Sequence, residues 1–106
     1  MTDCLIVLCT CPDEASAARI ADTLVGERLA ACVNRIGGVQ STYRWKGEIQ
    51  HDAESLLVIK TVRERFNALR ERILALHPYE LPEIIAVDIA SGHTPYLDWI
   101  AEQTAS

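Results

Sequence analysis

The sequence has no apolar run approaching the ~18 residues that a membrane-crossing helix needs, so a membrane partner is not expected. Positive charge is also scarce. Ten Lys and Arg stand against 15 Asp and Glu, for a formal net charge of -5. The arginines that do cluster (Arg63, Arg65, Arg70, Arg72) are interleaved with Glu64 and Glu71, a solvated helix face and not a nucleic-acid surface. No basic start and long apolar core of a signal peptide is seen: Asp3 comes almost at once, and Leu5–Leu8 is short. A cytoplasmic protein is therefore expected, with its four cysteines (Cys4, Cys9, Cys11, Cys32) reduced. Three of them fall on one predicted strand, which is poor geometry for a disulfide. Linkers, low-complexity segments and repeats are missing too. With 49% hydrophobic and 24% charged residues the balance is that of a globular protein. The 106 residues read most simply as a single domain, residues 1–106, able to bury about 65% of its unfolded surface.

What is present is a regular succession of elements. Cys4-Leu5-Ile6-Val7-Leu8-Cys9-Thr10 is a continuous apolar run, as for a strand covered on both faces. Pro12 ends it, and Asp13 is placed to cap a helix whose first turn holds Glu14. Ala18, Ala21, Val25 and Leu29 recur at helical spacing. A strand is expected from Ala31 to Ile36, a bulge or bend at Gly37-Gly38, and a second extended stretch from Val39 to Trp45. Lys46-Gly47 predicts a tight hairpin turn. The return strand runs from Glu48 towards Thr61, its pattern interrupted near His51-Asp52. Thr61-Val62-Arg63-Glu64 has the form of a capping box, and Val62, Phe66, Leu69, Ile73 and Leu76 form an apolar helical stripe. A strand is expected over Glu83–Ile89. Thr94-Pro95 then reads as N-cap and first residue of a last helix, Tyr96–Gln103.

The order strand-helix-strand-strand-helix-strand predicts an α+β, ferredoxin-like fold, βαββαβ, with an antiparallel sheet, two helices on one face, a long β-hairpin and an extra C-terminal helix. The apolar runs of the first and third strands imply a cover for the other face. Glu48–Thr61, extended, would span roughly 46 Å, against a diameter of about 34 Å for a domain of this size. The hairpin must bend back or overhang, and its unpaired edges invite pairing with another subunit.

Between the second helix and the last strand lies His77-Pro78-Tyr79-Glu80-Leu81-Pro82-Glu83. Its prolines each remove a donor and restrict the residue before them, so neither helix nor sheet runs through. With Leu8-Cys9-Thr10, Glu27-Arg28-Leu29-Ala30-Ala31-Cys32-Val33-Asn34, Tyr43-Arg44-Trp45-Lys46-Gly47, Ile59-Lys60-Thr61 and Tyr96-Leu97-Asp98-Trp99, this turn resembles the CutA family of divalent-cation tolerance proteins. The resemblance covers nearly the whole chain in order. It implies a cytoplasmic homotrimer like that of the PII signalling proteins, non-catalytic, binding copper or another divalent cation, with a further protein partner left unidentified. Carried over residue by residue, it implies metal binding by Cys9 and His77. Where some members have two adjacent histidines, this chain has Leu76-His77.

The chemistry is consistent with that implication and does not require it. Thiolate and imidazole suit copper or zinc better than magnesium or calcium, but two ligands fall short of a closed zinc site. Water, a second subunit or Glu80 would have to complete the shell. Cys9 is equally a small buried hydrophobe of a central strand, and His77 a residue interacting with the last carbonyls of a helix. Cys11 shares a face with Cys9 and offers a second sulfur, though core packing explains it more simply. His51 and His93 read as surface residues. Tyr43 and Trp45 share a strand face suited to a subunit interface, and the carboxylates Asp13, Glu14, Glu80 and Glu83 stand beside helix ends and prolines, where capping accounts for them. A PII-like module binding a small metabolite in subunit clefts is the second functional reading. An acylphosphatase would need an anion-cradling loop where Thr10-Cys11-Pro12-Asp13-Glu14 is acidic, and an RNA-recognition domain would need stacking aromatics where Leu56-Leu57-Val58-Ile59-Lys60 has none.

Overall fold

The computed structural model describes residues 2–105. Strand β1 (Cys4–Cys11) is followed by helix α1 (Glu14–Gly26) and the hairpin β2 (Cys32–Trp45) and β3 (Glu48–Val62). One 3-10 turn (Arg63–Arg65) leads into helix α2 (Phe66–Leu76), then come β4 (Ile85–Asp88) and α3 (Thr94–Gln103). The strands lie in the order β2-β3-β1-β4, every neighbouring pair antiparallel. This is the ferredoxin-like arrangement the element order predicts.

Side chains alternate across each strand. From β1 and β3, Val7, Cys9, Cys11, Leu57 and Ile59 join Ala17, Ile20 and Leu24 of α1 and Leu69 and Ile73 of α2 in one core. Both helices therefore cover the same face. The other face carries Ile6, Leu8, Leu56 and Val58, all half-buried, with Ile36, Ile85 and Val87 exposed. Among the described residues only one end of it is covered, where Ile100 and Leu97 of α3 pack with Cys4, Ala31, Val62 and Ile89.

Local signals place most boundaries. Asp13 caps α1 from an extended conformation, its carboxylate accepting from Ser16 N–H at 2.7 Å. Lys46 and Gly47 both have positive φ (50° and 81°), the geometry of a two-residue hairpin turn whose twist matches its strands. The register of β2 on β3 shifts between Ile36 and Val39, where Gly38 has φ 74°. The long axis of 44 Å against 25 and 22 Å shows the hairpin overhanging.

Several expectations are corrected. The buried face of α1 is Ala17, Ile20, Ala21 and Leu24, not the stripe through Val25, which is 43% exposed. Both stripes have helical spacing, and the one with the larger apolar area, Ile20 and Leu24, turns inward. Leu29 is buried beyond the helix, after Arg28 turns the chain at φ 60°. Thr61 is no helix cap. It stays in β3, fully buried, its hydroxyl donating to Leu29 O at 2.7 Å. The return strand itself runs as expected from Glu48 to Val62, with His51 and Asp52 pairing with Thr42 and Ser41, and the break in its apolar pattern there reflects a hairpin in solvent, which needs no apolar alternation. The last strand is only Ile85–Asp88, and the cap of α3 is His93, with Thr94 inside the helix.

Candidate metal centre

Because they are two residues apart on β1, Cys9 and Cys11 project together beneath the helices, and both are fully buried. His77 arrives from α2. It is the residue on which that helix ends, at φ -75° and ψ 135°, and its N–H closes the last turn on Ile73 O at 2.8 Å. Pro78 denies the helical conformation to the residue before it, so the chain leaves the helix here and the imidazole lies back over β1. Only 8% of His77 is exposed. The two sulfurs and a ring nitrogen lie within 4.8 Å of one another. With metal–sulfur bonds of about 2.3 Å, a trigonal ion sets two sulfurs about 4 Å apart, so these donors need little movement to close on one ion. Two thiols and an imidazole suit a soft or borderline transition metal.

The sulfurs interact. Donating towards Cys11 pushes the Cys9 thiol well above its ordinary value, with burial and the Cys11, Glu83 and Glu54 charges adding to the effect. The same hydrogen bond lowers Cys11. Ligation requires thiolates, so a metal must displace the protons that this pair retains.

His77 is held at both ring nitrogens. Tyr79 N–H donates to Nδ1 at 3.1 Å, and Nε2 lies 2.7 Å from Thr10 O. An amide N–H only donates and a carbonyl only accepts, so the ring is neutral, with its proton on Nε2. Tyr79 in turn packs its ring 4.9 Å from the imidazole and donates its hydroxyl to Glu54 at 2.7 Å. Burial and the Glu54 carboxylate hold that phenol well above the usual tyrosine range. Tyr79, Glu54, Tyr43, Leu81, Glu83 and Thr10 line a recess of about 390 Å³, continued by one of about 270 Å³ that Trp45, Pro78 and Glu80 help to line.

The structure brings Cys9 and His77 together and adds Cys11. Its signal in the sequence is the C-x-C spacing on a strand. The backbone groups of Thr10 and Tyr79 that hold the imidazole leave no such signal. Glu80 is not among the converging donors and is exposed. His51 and His93 are exposed and are not among the converging donors. All four cysteines are free thiols.

A family model described as "CutA1 divalent ion tolerance protein" matches residues 5–103. The chain is 54% identical over 99 residues to the divalent-cation tolerance protein CutA of Thermus thermophilus, covering 93% of this chain and 96% of that protein. It is 42% identical over 100 residues to the chloroplastic protein CutA 1 of Oryza sativa, covering 94% of this chain and 56% of the rice protein, so it spans about half the length of that relative. The crystal structure of CutA from Xylella fastidiosa superposes with a TM-score of 0.96 at 47% identity, over 98% of this chain and 100% of that one.

Proposed function

This chain belongs to the CutA1 divalent ion tolerance family, and from that premise we propose that it binds copper through Cys9, Cys11 and His77 and contributes to cation tolerance by binding, not catalysis. The observation that carries the proposal is the convergence of the three donors within 4.8 Å. Two sulfurs and one nitrogen make a three-coordinate set favoured by copper in its reduced state, whereas zinc would need a fourth ligand. Burial beneath α1 and α2 admits an ion more readily than an organic substrate. In an anaerobic Cu(I) titration, wild type should bind one equivalent, with a thiolate-to-copper absorption band in the ultraviolet. His77→Ala and Cys9→Ser should each weaken binding at least tenfold. Equal affinity for His77→Ala removes His77 from the site.

We propose further that residues 1–106 act as a single domain in a cytoplasmic homotrimer. Support comes from the uncovered apolar face of the sheet and from its two edge strands, β2 and β4, which offer unpaired backbone groups to neighbouring copies. Light scattering at micromolar concentration should report three chains, and a stable monomer would remove this reading. The recess between Tyr43, Tyr79 and Glu54 favours a second reading, a regulatory module taking a small metabolite. A metabolite that raises the melting temperature where copper does not would favour it.

A further inference from the structure

Resting on the reading of Cys9, Cys11 and His77 as a metal site, we infer that a bound ion and the Tyr79 N–H compete for the His77 ring, so that metal binding frees the Tyr79 amide from the imidazole and loosens the turn His77–Glu83. A nitrogen ligand needs a free lone pair. If Nδ1 takes the ion, the lone pair that now accepts from Tyr79 N–H at 3.1 Å is used. If Nε2 takes it, Nε2 must first lose the proton it directs at Thr10 O, 2.7 Å away. The neutral ring then carries its proton on Nδ1, where it faces Tyr79 N–H donor to donor. Both routes end with Tyr79 N–H deprived of its acceptor. The first keeps the Nε2–H bond to Thr10 O as an outer hydrogen bond that orients the ligand, and the second breaks it as well.

The release reaches beyond the metal site. Only Pro78 separates His77 from Tyr79, and its fixed φ makes the two residues move together. The Tyr79 hydroxyl is bound to Glu54, which is buried on β3, and both residues line the recess shared with Tyr43 and Leu81. A displaced Tyr79 backbone therefore moves a wall of that recess. Linkage makes the effect reciprocal: whatever holds Tyr79 in place weakens the metal by the factor with which the metal loosens Tyr79. One exchanged hydrogen bond corresponds to roughly fivefold in affinity.

The test follows Cu(I) binding by its thiolate absorption band and the Tyr79 amide by hydrogen exchange in the same 15N-labelled chain. Saturation should speed exchange at Tyr79 at least tenfold and leave the core amide of Leu57 unchanged. Tyr79→Phe keeps the amide and loses the Glu54 tie, so it should bind Cu(I) about two- to fivefold more tightly, with an unaltered circular dichroism spectrum. A full absorption band with Tyr79 exchange unchanged overturns the competition and leaves the metal reading intact. Equal or weaker binding by Tyr79→Phe overturns the link to the recess. No band at all in wild type overturns both.

Discussion

Alternate residues of the same two strands meet opposite environments. Val7, Cys9, Leu57 and Ile59 are completely buried beneath α1 and α2. Their neighbours Ile6, Leu8, Leu56 and Val58 are half-buried, on a face where Ile36 is 47% exposed and Ile85 and Val87 are each 52% exposed. Apolar composition is similar on both sides, so composition does not decide which side closes. The chain supplies two helices to one face and only the end of a third to the other. Stabilisation from the closed face belongs to the chain alone, while that of the open face, on the reading proposed above, appears only on assembly and so depends on concentration.

The sharpest way to break this contrast is truncation on each side. Leu57→Ala should cost about 3 kcal/mol in urea denaturation, from lost transfer energy and a cavity. On the closed face that loss should be the same at every protein concentration. Val58→Asp, one residue on, should instead leave the circular dichroism spectrum in place and shift light scattering towards the single chain. If Val58→Asp unfolds the protein while Leu57→Ala leaves the fold and its midpoint intact, the assignment of the two faces is reversed.

A smaller effect should distinguish the core from the overhanging hairpin. Gly47→Ala must hold a side chain at φ 81° with open space around it, so only backbone strain acts. A loss of about 1 kcal/mol is expected, without change in Cu(I) affinity.

The weakest expected effect concerns the turn between the two regions. Tyr79 has its phenol raised by burial and by Glu54. In the unfolded chain a tyrosine ionises near about pH 10, whereas the folded protein holds the proton to higher pH. The stabilisation is thus fully present below about pH 10 and is lost as pH rises above it. Between about pH 9 and about pH 11, the urea midpoint of wild type should fall more steeply than that of Tyr79→Phe. Parallel slopes would show that Tyr79 carries no part of the alkaline loss.

Much of the fold is legible from short stretches because its causes are short in range. The apolar run of β1, the Asp13 cap, the bulge at Gly38, the turn at Lys46-Gly47 and the stop at Pro78 each depend on a few adjacent residues. The misread elements had two local answers. Thr61-Val62-Arg63-Glu64 fits a capping box, but the Thr61 hydroxyl is claimed by Leu29 O. In α1 two stripes of helical spacing lie one residue apart, and only the core beneath selects between them. At the candidate site, Cys9 and His77 stand out only through the resemblance to a family, and the C-x-C spacing of Cys11 with Cys9 fits core packing as well as a second sulfur.

By itself, then, the sequence determined the order of strands and helices, the hairpin and the turn with its histidine, since propensity, proline and positive φ act within a few residues. Tertiary structure alone decided that Cys9, Cys11 and His77 converge within 4.8 Å, that both ring nitrogens are engaged, and that one sheet face is left open. Those outcomes join residues as far apart in sequence as Thr10 and His77, and side chains meet across such distances only once the sheet and helices have packed.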